Sequence, residues 1–335
     1  MNIKVSTDYL PSIYEKYLEL YDKGVPVNSL GFKRVSGGPY STVDYFIKLY
    51  NAIKTNGYRE VGECKYRNDI KPGSIVPIEG WVDSHGYLII DGGYHRISIL
   101  KYLGYKNVTI TLHNIDPSFK KFYKYILGFQ QSGTQMYHSI DHWACSSWPS
   151  ARGLNRAELI LSRMSPKATV LDLGCHIGGI SHPLSVEGYK VTGVELGKKE
   201  NYCANYIADH YTCRDEVKKL YPLQLGFLPS LSNYCKPLYL LGNVANVIND
   251  IGEFDYTLFL SIYRWVGQSS KVLKRIGEIT RKSIFIDVEP HLEGSLKQNI
   301  LKFTRFKHID KIGVENVGSK MGRSYNKPRT IYEIH

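Results

Sequence analysis

Residues 168–195 constrain this chain more than any other stretch. Ala168 to Leu173 is an apolar run of strand length, and it feeds the glycine-punctuated turn of Val170-Leu-Asp-Leu-Gly-Cys-His-Ile-Gly-Gly179. A helix-like segment follows. A second apolar run, Lys190 to Val194, then ends in Glu195, sixteen residues after Gly179. Strand, glycine turn, helix, strand and terminal acid together make one βαβ unit. The glycines let backbone approach a ligand closely, and an acid ending the second strand offers two acceptor oxygens to ribose hydroxyls. The spacing predicts an adenosyl-bearing, nucleotide-type cofactor on an α/β sheet.

The rest of the C-terminal half supports that sheet. Strand-like runs at 237–241, 254–260 and 283–288 alternate with helical segments, which predicts a parallel sheet with helices on both faces. A terminal pair near 306–314 and 328–334 reads as an antiparallel hairpin at the sheet edge. Residues 198–235 read as part helix and part insertion, and a helix from about Leu154 to Met164 leads into the motif strand.

The N-terminal half reads as α+β. Its opening is irregular and polar. A helix is predicted from Ser41-Thr42 to Gly57, with Val43, Phe46, Ile47, Tyr50 and Ile53 on one face, a cap at Ser41 or Thr42, and a stop at Asn56-Gly57. Short strands are expected at Ser74 to Ile78, Gly86 to Ile90 and Val108 to Leu112. Between the last two, Asp91-Gly-Gly-Tyr-His-Arg96 turns into a short helix ending near Gly104. A basic-aromatic patch (Lys120 to Tyr125) and a Gln-Gln-Ser-Gly turn at 130–133 mark a junction near 128–145. The expected organisation is a first domain over 1–128, a linker and helix over 129–165, and a second domain over 166–335.

Composition narrows the function classes. A length of 335 residues favours two domains, and 43% hydrophobic residues is ordinary for a globular chain. No apolar stretch has the length of a membrane span, and the first residues lack the apolar core of a signal peptide, so the expected location is cytoplasmic. Cys64, Cys145, Cys175, Cys203, Cys213 and Cys235 are scattered without a CxxC pair, which points to free thiols and away from a zinc site or disulfide frame. Forty-three Lys and Arg against 31 Asp and Glu give a charge of +12, a field that attracts phosphates and nucleic acid. No block of like charge stands out, so a nucleic-acid partner is not favoured over a solvated basic surface. The 27 tyrosines suit stacking on rings or sugars as well as packing.

Asp172-Leu-Gly-Cys-His-Ile-Gly178 differs from the GxGxxG of NAD-binding proteins and resembles motif I of class I S-adenosylmethionine (SAM)-dependent methyltransferases. The resemblance implies a Rossmann-like, seven-stranded methyltransferase sheet and SAM as cofactor. It implies a cofactor site of Asp172, Gly174, Cys175, His176, Gly178, Glu195 and Asn243. Asp172 would orient the amino group directly or through water, and Glu195 would hold both ribose hydroxyls. His176 reads as a backbone spacer. Asn243 stands where this family often has an acid facing adenine.

The last eighty residues carry a second resemblance. Phe259-Leu-Ser-Ile-Tyr-Arg-Trp-Val266, Ile286-Asp-Val-Glu-Pro290 and Lys327-Pro-Arg-Thr-Ile-Tyr332 are similar to stretches of RNA methylphosphate capping enzymes and of O-antigen chain-terminating methyltransferases, which methylate a phosphate oxygen. That implies an acceptor that is a small molecule or glycan bearing a phosphate. Arg152, Arg156, Arg264, Arg323 and Arg329 are then candidate phosphate clamps, and Tyr263, Tyr332 and Trp265 candidate walls of the acceptor pocket, although Trp265 reads more readily as core. A phosphate oxygen needs alignment more than a base. If the acceptor is instead a sugar hydroxyl, Glu289 and His291 are the base candidates.

Val76 to Arg96 resembles the ParB/sulfiredoxin fold, whose hallmark is a strand followed by Gly-x-His-Arg at a helix start. Sulfiredoxins carry a cysteine where this chain has Tyr94, and no helix-turn-helix module follows, so neither sulfinic-acid repair nor chromosome partitioning is implied. Free-serine kinases of this fold carry Asp-Gly-His-His-Arg. By that resemblance Asp91, Gly93, His95 and Arg96 would bind nucleotide phosphates with ATP and Mg2+, and Glu60, Glu63 and Glu79 are candidate carboxylates. The alternative is a module of this fold used for docking alone. For the whole chain, a nucleic-acid enzyme or binding module and a regulatory protein that binds the cofactor without turnover stay open as alternatives.

Overall fold

The protein is described by a computed structural model. The structure describes residues 1–30, 42–58, 77–129, 140, 142–146, 155–221, 224–225, 231–266, 269–315 and 329–335. In chain order the first elements are β1 (Asn2–Ser6), α1 (Glu15–Asp22), α2 (Val43–Asn56), β2 (Glu79–Val82), β3 (Leu88–Gly92), α3 (Tyr94–Tyr102), β4 (Asn107–Ile115) and α4 (Pro117–Gly128). Next come α5 (Asn155–Leu161), β5 (Thr169–Leu173), α6 (Ser181–Val186), β6 (Lys190–Glu195), α7 (Lys198–Thr212) and α8 (Arg214–Leu220). The last are β7 (Leu238–Leu241), α9 (Val244–Val247), β8 (Phe254–Phe259), α10 (Tyr263–Val266), α11 (Ser270–Ile279), β9 (Thr280–Val288), α12 (Glu293–Phe303), β10 (Ile309–Val314) and β11 (Thr330–Ile334).

The chain divides into two compact units. The first comprises residues 1–120, 141–147 and 214–229, and the second comprises 121–140, 148–213 and 230–335.

The first unit is built on a four-stranded sheet of order β1-β4-β2-β3. β1 runs antiparallel to β4, β2 runs parallel to β4, and β2 and β3 form an antiparallel hairpin. The opening residues, expected to be irregular, are in fact strand β1. Ile3 and Val5 alternate inward from an otherwise polar run, and pairing with β4 supplies the rest. α2 follows its sequence pattern. Thr42 accepts the Tyr45 N–H at 3.2 Å, Gly57 ends the helix at φ 74°, and Phe46, Ile47, Tyr50 and Ile53 are buried. The strand expected at 74–78 falls largely outside the described residues, and Pro77 and Ile78 are not in a strand.

The second unit holds a seven-stranded sheet of order β10-β11-β9-β8-β5-β6-β7. β7, β6, β5, β8 and β9 are parallel neighbours, while β11 is antiparallel to both β9 and β10. The terminal pair is thus an antiparallel hairpin at the sheet edge. β5 is buried on both faces, as a central parallel strand must be. Leu171 and Leu173 enter one apolar cluster with Phe259, Ile276, Ile286 and Leu296, and Val170 enters another with Leu184, Tyr256, Leu258 and Phe285. The chain builds outward from β5 in one direction through β6 and β7 and in the other through β8 and β9. That reversal opens a crevice at the C-terminal end of β5, where open α/β sheets bind ligands.

Candidate cofactor and acceptor site

A cavity of about 340 Å3 lies in the second unit at that crevice. Its lining includes Asp172, Gly174, Cys175, His176, Glu195 and Asn243, together with Arg156, Ser261, Ile262 and Trp265. The turn after β5 requires its glycines. Gly174 has φ 72°, and a Cβ there would stand 2.6 Å from Ile262 Cγ2. Gly178 has φ 82°, and a Cβ there would strike the Tyr239 hydroxyl and come within 2.7 Å of His182 Nε2. His176 takes a left-handed φ of 55°, a conformation that costs a non-glycine residue energy. In return its N–H donates to Glu195 Oε2 at 2.8 Å, while the Gly197 N–H donates to Oε1 at 2.8 Å. Both oxygens of Glu195 are thereby aimed by backbone, and each keeps a further lone pair.

Asp172 is buried, and Ser181 Oγ donates to its Oδ2 at 2.6 Å. Burial pushes the Asp172 carboxyl up to about 6, against the opposing pull of the Ser181 hydrogen bond and of Arg156. Ser181 was missed in the sequence. It opens α6 seven positions beyond Gly174, and nothing but the turn geometry brings it back to β5. Burial holds the His176 imidazole below its ordinary range and raises the Cys175 thiol, so neither has the charge state of a reactive group. The His176 ring rests 5.5 Å from Phe129, in keeping with a spacer. Asn243 caps α9, its Oδ1 accepting the Ala245 N–H at 2.9 Å, which leaves its amide group to face outward as donor.

The acceptor end differs from the sequence reading. Arg156 is 1% exposed and pairs with Asp287 and with Glu315, the latter at 3.2 Å. Arg329 Nη1 lies 3.3 Å from Asp287 Oδ2 and its Nη2 lies 3.4 Å from Glu289 Oε1. Both arginines, expected as phosphate clamps, are committed to carboxylates. The same Asp287 accepts the Ser261 N–H, so it ties α5, β9, the residue that precedes β11 and the turn after β8 together. Tyr332 is corrected from pocket wall to core residue. It packs in the cluster of Phe259 and Ile286, and burial with a Glu293 hydrogen bond pushes its phenol up to about 12.

Trp265 is corrected in the opposite direction: it is 71% exposed at the cavity, not core. Tyr263 is buried and its hydroxyl accepts from Asn299 Nδ2 at 3.1 Å. With Ser261, Asp287, Glu289, Leu292 and Arg329 it lines a second cavity of about 10 Å3, room for one water-sized group. His291 is exposed, with Nδ1 3.6 Å from Glu289 Oε2. Arg152 and Arg323 lie outside the described residues, as does the side chain of Arg264, whose backbone is in α10.

In the first unit, Gly93 opens α3 at φ 100°, but the side chains that follow serve packing. The His95 ring sits 4.7 Å from Tyr14 and 5.4 Å from Phe46, and burial holds it down to about 4, neutral at pH 7. The sequence places His95 among the phosphate-binding residues; in the structure its ring lies against these aromatic rings. Arg96 Nη2 donates to the Pro77 carbonyl at 3.2 Å. Tyr94 donates to the Ile90 carbonyl, and Asp91, exposed, pairs with His113 at 3.5 Å. Glu79 stands in β2, whereas Glu60 and Glu63 lie outside the described residues. Among the described residues no three His, Cys, Asp or Glu side chains gather as a metal site, and no helix is long and apolar enough to cross a membrane.

No protein-family model and no curated protein matches the chain. Solved structures do. Magnesium protoporphyrin IX methyltransferase (ChlM) from Synechocystis PCC 6803 with bound SAM is 17% identical, covering 53% of this chain and 75% of that one at a TM-score of 0.37. The bifunctional kinase-methyltransferase WbdD, in complex with a kinase inhibitor, is 17% identical over 63% of this chain at a TM-score of 0.43. This chain covers 47% of that WbdD chain, less than half of its length. A TehB-like SAM-dependent methyltransferase from Corynebacterium glutamicum is 14% identical, covering 53% of this chain and 85% of that one at a TM-score of 0.36. Each of the three is a methyltransferase by name, and each is similar to this chain over the part it covers.

Proposed function

We propose that the protein is a SAM-dependent O-methyltransferase whose second unit carries the reaction. The observation that carries this reading is the pair of carboxylates, Asp172 and Glu195, held beside a glycine turn whose Cα atoms leave no room for a side chain. That donor set fits the cofactor. Glu195, aimed by two backbone amides, is available to the ribose hydroxyls, and Asp172 is available to the amino group. The Asn243 amide donates, so it suits a ring nitrogen of adenine where an acid would suit the exocyclic amine. Bound SAM supplies an electrophilic methyl group on a sulfonium. The chain's own work is to align an acceptor oxygen with that methyl, exclude water and take up a proton.

The committed state of Arg156 and Arg329 favours a hydroxyl over a phosphate as acceptor. Glu289, with His291 beside it, is the group suited to take the hydroxyl proton. For the first unit, the packing of His95 against Tyr14 and Phe46 supports a scaffolding or docking role, and kinase activity is not carried into the proposal. The test is incubation with SAM carrying a tritiated methyl group. Label released as a base-stable methyl ether supports the reading, and label on carbon, nitrogen or a methyl phosphodiester contradicts it.

A further inference from the structure

Trp265 stands out once the site is assembled. An indole 71% exposed on the lining of a cavity keeps a large apolar surface in water, which folding alone does not favour. The turn that carries it is held in place. The backbone N–H of Trp265 donates to the Ile262 carbonyl at 2.9 Å at the start of α10. Two positions back, Tyr263 is buried and fixed by Asn299, and Ser261 sits at φ 63° with its N–H on Asp287. The buried network of Arg156, Asp287 and Arg329 therefore locks the base of the turn that presents the indole outward.

Resting on the methyltransferase reading, we propose that Trp265 is the acceptor platform and that the acceptor is a saccharide, stacked by the C–H face of a pyranose ring with one ring hydroxyl directed to Glu289. Three observations select this class. The pocket that shares Ser261 with the main cavity has room for one water-sized group, the size of a hydroxyl. Glu289 on its wall offers a carboxylate to a ring hydroxyl, while Asp287 and Arg329 hold each other; an aromatic acceptor would call for an apolar slot. Trp265 supplies the apolar face that a sugar ring needs on one side only. In the transfer, the acceptor oxygen forms a bond to the methyl carbon while the sulfur–methyl bond breaks and its electron pair stays on sulfur. The hydroxyl proton passes to Glu289, leaving a methyl ether and a neutral thioether.

The experiment uses the full chain saturated with S-adenosylhomocysteine (SAH), whose binding is first established by calorimetry. Tryptophan fluorescence is then titrated with methyl α-D-mannopyranoside, methyl α-D-galactopyranoside, methyl α-L-rhamnopyranoside, mannose 1-phosphate and catechol. The proposal expects saturable quenching by at least one glycoside, loss of that signal in Trp265→Ala, and partial recovery in Trp265→Phe read by saturation-transfer NMR. SAH binding to Trp265→Ala is measured alongside, so that a lost glycoside response is read on protein that still holds SAH. For the responding glycoside, Glu289→Gln should lower kcat by about 100-fold or more while KM moves little, the pattern of a lost base. Quenching only by catechol or the sugar phosphate, no response to any glycoside, or quenching that persists in Trp265→Ala overturns the proposal. Absence of SAH binding in the parent protein would instead remove the methyltransferase reading beneath it.

Discussion

Two helix starts in this protein look alike in sequence and differ in use. After β3, Gly93 turns the chain at φ 100° into α3; after β5, Gly174 and Gly178 turn it at φ 72° and 82° toward α6. In the first unit the residues after the turn are spent on the fold. His95 packs against Tyr14 and Phe46, and Arg96 donates to a backbone carbonyl. In the second unit the turn encloses a cavity, and its carboxylates are oriented by amides and a hydroxyl from their own loop. A glycine turn before a helix thus fixes a backbone path. A site requires in addition that the polar groups around the path be held by the protein and left with capacity for a ligand.

The contrast can be broken most forcefully at the base of the second unit's site. Asp287→Ala leaves Arg156 and Arg329 without their shared carboxylate, and Arg156 is fully buried. Stripping one partner from a buried ion network costs about 3–5 kcal/mol, read as a lower urea midpoint. At the turn itself, Gly174→Val places branched carbon where Ile262 stands and forces a φ that a side chain resists. SAH affinity should drop by about 30-fold or more, since such strain costs about 2–3 kcal/mol. Glu195→Gln removes the charge from the proposed ribose acceptor while keeping its shape. Calorimetry should show SAH bound about 10- to 100-fold more weakly, the range for a charge-assisted hydrogen bond.

A gentler probe is pH. Asp172 titrates near 6 in the fold, above its ordinary 3.8, so below that value the carboxyl carries a proton and no longer attracts an ammonium group. SAH affinity should weaken as pH falls through about 6, toward about tenfold per unit, and Asp172→Asn should flatten the profile. The same raised value means that this group opposes folding at neutral pH and that its penalty shrinks as pH falls from about 6 toward 3.8. The smallest effect belongs to the first unit. His95→Leu exchanges a half-buried imidazole, its pKa lowered by burial, for an apolar side chain, and stability should shift by less than about 1.5 kcal/mol with SAH affinity unchanged. A loss of nucleotide binding in that variant would revive a phosphate role for His95.

Much of the second unit was legible because its signals are local. β5, β6, β8 and the closing hairpin were readable as apolar runs, and Asp172, the glycines and Glu195 occupy one short stretch. What escaped depends on distance along the chain. Arg156 meets Asp287 across 131 residues and Glu315 across 159, so its composition as an arginine in a basic chain said nothing of two waiting carboxylates. Trp265 and Tyr332 were exchanged between core and pocket for a related reason. An apolar aromatic at a strand end fits either place, and only the turn pinned by Asp287 sends the indole outward while the β11 register turns Tyr332 inward. β1 was missed because two alternating apolar residues are a weak signal without their partner strand.

The account stands or falls on whether the crevice after β5 takes an adenosyl ligand. Isothermal calorimetry of the purified full chain with SAH tests this directly. One site per chain, with affinity that collapses in Gly174→Val and weakens in Glu195→Gln, is the expected result. No heat of binding across a titration reaching millimolar ligand, from protein whose unfolding is cooperative, would contradict it.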